Sequence, residues 1–158
     1  MKKIIFILLT LVYILDASSY YVKYHGMKLG KIDDISTIDK LYLKAKVTSK
    51  IARFMLGKDY LVYFSGNKPN IKDSKFKKDK KMILYAFKTS IKEKPKFKRF
   101  KINDIKNITL ECKSDKACHF TYYKNDKING YGDIVFDKDG EFVSITEKKS
   151  NFKIERVE

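Results

Sequence analysis

Apolar and polar residues alternate with period two along most of the chain, the spacing of strands that turn one face inward. In KLYLKAKVTS, Leu41, Leu43, Ala45 and Val47 point one way, and Tyr42, Lys44 and Lys46 the other. The same pattern predicts strands at YYVKYH (20–25), KIDDIS (31–36), DYLVYFSG (59–66), KMILYAFKTS (81–90), NITLECK (107–113), CHFTYYK (118–124), GDIVFD (132–137), EFVSITE (141–147) and NFKIERV (151–157). Gly, Asn, Asp and Pro in GNKPN, NDKING and DKDG supply turns between them, and the last three strands read as a meander.

One stretch breaks the alternation. In TSKIARFMLGKD, Ile51, Phe54 and Met55 recur at i, i+3 and i+4, between Thr48 or Ser49 as N-cap and Gly57 as C-cap. That predicts one short helix over 49–56. YLVYF and MILYAF are apolar on both faces. Such strands are either covered on both sides or line an apolar cavity with one side. Leu61, Tyr63, Tyr85 and Phe87 are the candidate lining residues, with Phe54 and Met55 of the helix as a candidate gate. The expected fold is all-β: a strongly curved antiparallel sheet or half-open β-barrel with the short helix across its mouth.

The first residues set the compartment. Lys2 and Lys3 precede an apolar run from Ile4 to Leu15, too short to span a bilayer comfortably, and Ala17 and Ser19 form an A-x-A-like cleavage site. Residues 1–19 therefore read as a signal peptide cut before Tyr20, leaving 20–158 as a single β domain that is soluble and exported, periplasmic or otherwise outside the cytoplasm. Disulfides persist there.

That context bears on ECKSDKACHF, which holds both cysteines of the chain. If Cys112 and Cys118 face one another across a hairpin, Leu110 lies opposite Phe120 and Ile108 opposite Tyr122, while Glu111 meets His119 on the other face. Facing residues of an antiparallel pair lie about 4.5–5.5 Å apart at Cα, within reach of a disulfide. A seven-residue ring is worth roughly 2.4 kcal/mol of chain entropy. A metal site fits less well, since Cys118 and His119 point to opposite faces and C-x5-C lacks the close spacing of zinc ligands. A Cys/His nucleophilic pair would need both groups on one side.

The net charge is +16, and arginine contributes only Arg53, Arg99 and Arg156. From Lys68 to Lys101, fourteen Lys or Arg stand against Asp73, Asp79 and Glu93, a local +11. Such a charge favours anionic partners: a lipid surface or an acidic envelope protein. Within it, PKFKRFKI (95–102) interleaves Lys96, Lys98, Arg99 and Lys101 with Phe97 and Phe100, just after Lys94, as in a surface that inserts aromatics and holds cations at head-group level. The same pattern also suits an edge strand that lysines protect from aggregation. Export argues against nucleic acid as the partner.

His25 has no acid or nucleophile that can be placed beside it. DKDGE lacks the ligand spacing of a twelve-residue calcium loop and reads as a hairpin turn. No catalytic residue, metal site or cofactor is expected.

The start of the expected mature chain, YYVKYHGMKLG, resembles the exported bacterial family known as domain of unknown function 3108. Tyr20, Val22, Tyr24, Gly26, Leu29 and Gly30 stand at the places of that family's opening pattern, and the resemblance runs over residues 20–70, with LYLKAKVTSK, IARFML and DYLVYF in the family's strand–helix–strand order. It implies an antiparallel β-fold in the cell envelope and carries over no catalytic residue. The expectation from all these features is a non-enzymatic envelope protein that binds a lipid or acyl chain and has a basic face for anionic surfaces. The alternative is an interaction protein whose lysine-rich face binds an acidic partner and whose interior is filled.

Overall fold

The computed structural model describes residues 18–65, 67, 69, 70, 74–78 and 81–158. Most of the expected leader, and Lys68, Lys72 and Lys80 of the basic segment, lie outside the described residues.

The chain runs β1 (Tyr20–Tyr24), β2 (Met27–Ile32), a 3-10 helix (Ile35–Lys40), β3 (Tyr42–Val47), α1 (Lys50–Leu56), β4 (Tyr60–Phe64), β5 (Ser74–Lys78) and α2 (Lys81–Lys92). It continues as β6 (Lys98–Asn103), β7 (Lys106–Ser114), β8 (Ala117–Lys124), β9 (Lys127–Phe136), β10 (Phe142–Glu147) and β11 (Phe152–Arg156). All eleven strands join one sheet in the order β5-β4-β3-β2-β1-β11-β10-β9-β8-β7-β6. Two meanders thus meet where the first strand pairs with the last, Tyr20 opposite Arg156 and Val22 opposite Ile154. Every neighbouring pair is antiparallel except β4 with β5, and the sheet is strongly curved but open, with β5 and β6 as its edges.

Period-two alternation sends one set of side chains to the concave face. Ile108 and Leu110 of β7, Ile134 of β9 and Ile154 of β11 are buried there with Tyr20 and Ile32. Two glycines permit close approaches on the way. A Cβ at Gly30 would lie 2.5 Å from the Lys46 carbonyl oxygen, and one at Gly132 would meet the Phe120 ring at 2.7 Å. Each lets a neighbouring strand or ring lie closer than a side chain allows.

Two expected elements differ, and one strand was not expected. KMILYAFKTS is the helix α2, not a strand: Leu84, Phe87 and Ile91 recur at helical spacing and pack inward, while Lys88 and Lys92 reach back to Asp39. Lys, Met, Leu and Ala are strong helix formers, and a run apolar on both faces fits either period. KIDDIS is not one strand either. β2 ends at Ile32, and the Asp34 carboxylate accepts the Ser36 amide at 2.8 Å, starting the 3-10 helix. SKFKK, predicted as no element, forms the parallel edge strand β5.

Candidate functional site

Between the concave face and α2 lies a cavity of about 380 Å³. Its walls come from β1–β4, β7–β11 and both helices, and among the described residues Lys46 and Tyr63 are the only ones lining it with a polar side chain. Space opens where inward positions are small: Gly30, Ala45 and Ala86 all border it. Among the expected lining residues, Leu61, Tyr63 and Phe87 line the wall, and Tyr85 packs against the core beside it. Sequence reasoning missed Leu29, Val47 and Leu56 at the α1 end of the cavity.

α1 is capped as its sequence indicates. The Ser49 hydroxyl accepts the Ala52 amide at 3.2 Å, and Gly57, at φ 63°, donates its amide to the Arg53 carbonyl at 2.8 Å. Its orientation is not the expected one. Ala52 and Leu56 face inward, whereas Ile51, Phe54 and Met55 are 70%, 90% and 78% exposed, so Phe54 and Met55 border the outside and not the cavity.

The basic stretch that ends in β6 divides. β6 is an edge strand, and Phe100 is buried in the core opposite Ile108, so it cannot insert into a lipid surface. Only Phe97, in the connection before β6, is an exposed aromatic of this stretch. Lys94 donates to the Gly140 carbonyl at 2.8 Å and lies over the Phe136 ring, tying the end of α2 to the β9–β10 turn. Lys98 pairs with Glu93 and Lys101 with Asp104, while Arg99 lies 6.0 Å from the centre of the Tyr123 ring. Lys96 is exposed. The hydrogen bond from Lys101 is the main reason the Asp104 carboxyl titrates below its usual range.

Cys112 and Cys118 form a disulfide across the β7–β8 hairpin, with Leu110 opposite Phe120, Ile108 opposite Tyr122 and Glu111 opposite His119 as the sequence predicts. On the convex face, His119 meets an acid that the sequence does not reveal. Its Nδ1 lies 2.9 Å from the Asp133 carboxylate and its Nε2 lies 3.4 Å from the Thr121 hydroxyl, while Lys148 holds the other Asp133 oxygen at 2.5 Å. Burial pushes the Asp133 carboxyl up, but the hydrogen bonds from His119 and Lys148 outweigh it and leave it below its usual range. Thr121 is nearly buried, and the strand pairing around it sets this group on the outside of the sheet, away from the cavity. Among the described residues, no His, Cys, Asp or Glu cluster is arranged to hold a metal ion.

The DKDG turn is held by its own acid. The Asp137 carboxylate accepts the Asp139 and Glu141 amides at 3.0 and 2.9 Å, and its other oxygen takes Arg156. No helix among the described residues is long and apolar enough to cross a membrane. No family model, curated protein or solved structure matches the chain.

Proposed function

We propose that this chain is a non-enzymatic, exported protein of the cell envelope that binds an acyl chain or a similarly apolar part of a lipid between the sheet and α2. The apolar cavity of about 380 Å³ carries that reading. Its volume falls within the roughly 300–1,000 Å³ typical of small-molecule sites. Interiors normally close-pack, and a space of this size forgoes on the order of several kcal/mol of contacts, which a sequence selected for stability alone would recover. With a lining almost wholly apolar apart from Lys46 and Tyr63, the site suits methylenes, each contributing about 0.8 kcal/mol on leaving water. A head group therefore stays at the mouth. The disulfide is compatible with export.

The test is mass spectrometry of gently purified protein for co-purified lipid, with titration of a fluorescent fatty acid and competition by unlabelled chains. Affinity should rise with chain length until the cavity is filled. Ala45→Phe, which places a ring into the cavity, should abolish uptake while the fold persists by circular dichroism. Protein that carries no lipid and takes up no probe would overturn the reading and leave a lysine-rich surface for an acidic partner as the functional hypothesis.

A further inference from the structure

The strand directions sort the turns into two groups. The β1–β2 turn, α1, and the β6–β7, β8–β9 and β10–β11 turns share one end of the sheet, as the pairings of Tyr24 with Phe152, Asn103 with Lys106 and Lys124 with Lys127 require. Bonds between elements fix the neighbours: the Thr48 amide donates to Leu29, and the Asn125 amide to Ile105. Most of the large apolar side chains left in solvent gather at this end. Besides the three on α1, Met27 is 60%, Ile128 59%, Ile105 47% and Tyr24 42% exposed. Leu29, Val47, Leu56 and Phe152 bring the cavity wall to the same end.

An apolar rim of this kind normally marks an interaction site. Its charge indicates the occupant. Lys50, Lys58, Lys124, Lys127 and Lys149 are exposed around these turns. Of the nearby acids, Asp59 is held by Arg53 at 3.0 Å, Asp104 by Lys101, and Glu147 by the amides of Tyr131, Lys149 and Ser150. Among the described residues there, Asp126 is the remaining carboxylate. A second copy of the chain would bring two basic rims together. An anionic bilayer satisfies both features, because apolar side chains enter the interface while lysines meet the head groups.

We propose that this end docks on anionic lipid bilayers through Ile51, Phe54 and Met55 of α1 with Met27 and Tyr24 beside them, which sets the α1 end of the cavity against the membrane. The proposal rests on the cavity reading above and adds the surface through which a chain would enter and leave.

Co-sedimentation with vesicles tests it. Phosphatidylcholine vesicles containing phosphatidylglycerol should bind the protein at low salt and release it at high salt, and pure phosphatidylcholine should bind far less. The triple variant Ile51→Ser, Phe54→Ser, Met55→Ser should lower vesicle affinity by roughly tenfold or more while leaving fatty-acid uptake in vesicle-free solution unchanged. Phe97→Ser, away from this end, should leave vesicle binding intact. A triple variant that binds vesicles as tightly as the parent overturns docking through α1 even where fatty-acid uptake persists. Loss of uptake in Ala45→Phe with vesicle binding retained supports a docking surface separate from the cavity. A parent protein that ignores anionic vesicles at low salt overturns the proposal and points the lysines to an acidic protein.

Discussion

The two ends of the curved sheet are built on opposite terms. At one end α2 and the 3-10 helix cover the concave face: Leu84 packs with Ile38 and Leu43, and the Phe142 ring meets Tyr20, Phe87 and Phe136 at centroid distances of 5.1, 5.5 and 6.4 Å. The Tyr20 hydroxyl donates to the Phe142 carbonyl at 3.0 Å, and burial, chiefly, raises its pKa. The disulfide closes the β7–β8 hairpin at this end. At the other end α1 adds Leu56 to the cavity wall but turns its largest apolar residues, Ile51, Phe54 and Met55, outward into solvent. The closed end spends its apolar residues on folding; the α1 end leaves its largest ones in solvent.

The contrast predicts unequal sensitivities. Phe142→Ala, at 2% exposure, should destabilise by about 3–5 kcal/mol in denaturant titration, since it removes a ring from the closed end's packing. A change below about 1 kcal/mol would mean that the closed end is not where stability resides. Converting both Cys112 and Cys118 to Ala should cost about 2 kcal/mol, as the ring they close is short.

Acid should loosen both ends through their turns. Asp137 titrates low chiefly because of Arg156, with the Glu141 and Asp139 amides helping. Burial pushes Glu147 up, but bonds from Ser150, Lys149 and Tyr131 carry it below its usual range. Because both folded values are depressed, their stabilisation is present above the unfolded range of about pH 4 and is lost as pH falls through the folded values. Hydrogen exchange should show the Glu141 and Ser150 amides losing protection below about pH 4 while the β7–β8 ladder stays protected. Unchanged protection would show that the carboxylates do not hold these turns. The smallest effect belongs to Phe54→Ser, which should leave stability within about 0.5 kcal/mol despite the size of the side chain removed.

Much of this was legible from local pattern. Alternation located most of the antiparallel strands, and the β7–β8 register followed from the chemistry of facing pairs, because a one-residue slip would send Leu110, Cys112 and Phe120 to the wrong face. Capping residues marked α1 for the same reason: Ser49 and Gly57 act on backbone groups within a few residues of themselves. What local pattern leaves open is which neighbour a face meets. MILYAF satisfies a strand and a helix alike, and only the need to cover Ile38, Leu43 and the β6–β7 side of the sheet selects the helix. Phe100 and Phe97 look equivalent in PKFKRFKI, yet pairing of β6 with β7 buries the first and leaves the second outside. Ile51, Phe54 and Met55 mark an apolar stripe without saying whether it faces a core, and Asp133 stands fourteen residues from the histidine it holds. The sequence by itself determined the curved antiparallel sheet, the cross-strand disulfide and the helix caps, since hydrogen bonds and pleat act over a few residues. The tertiary structure alone decided the cavity and the outward face of α1, because those depend on how distant segments exclude water from one another.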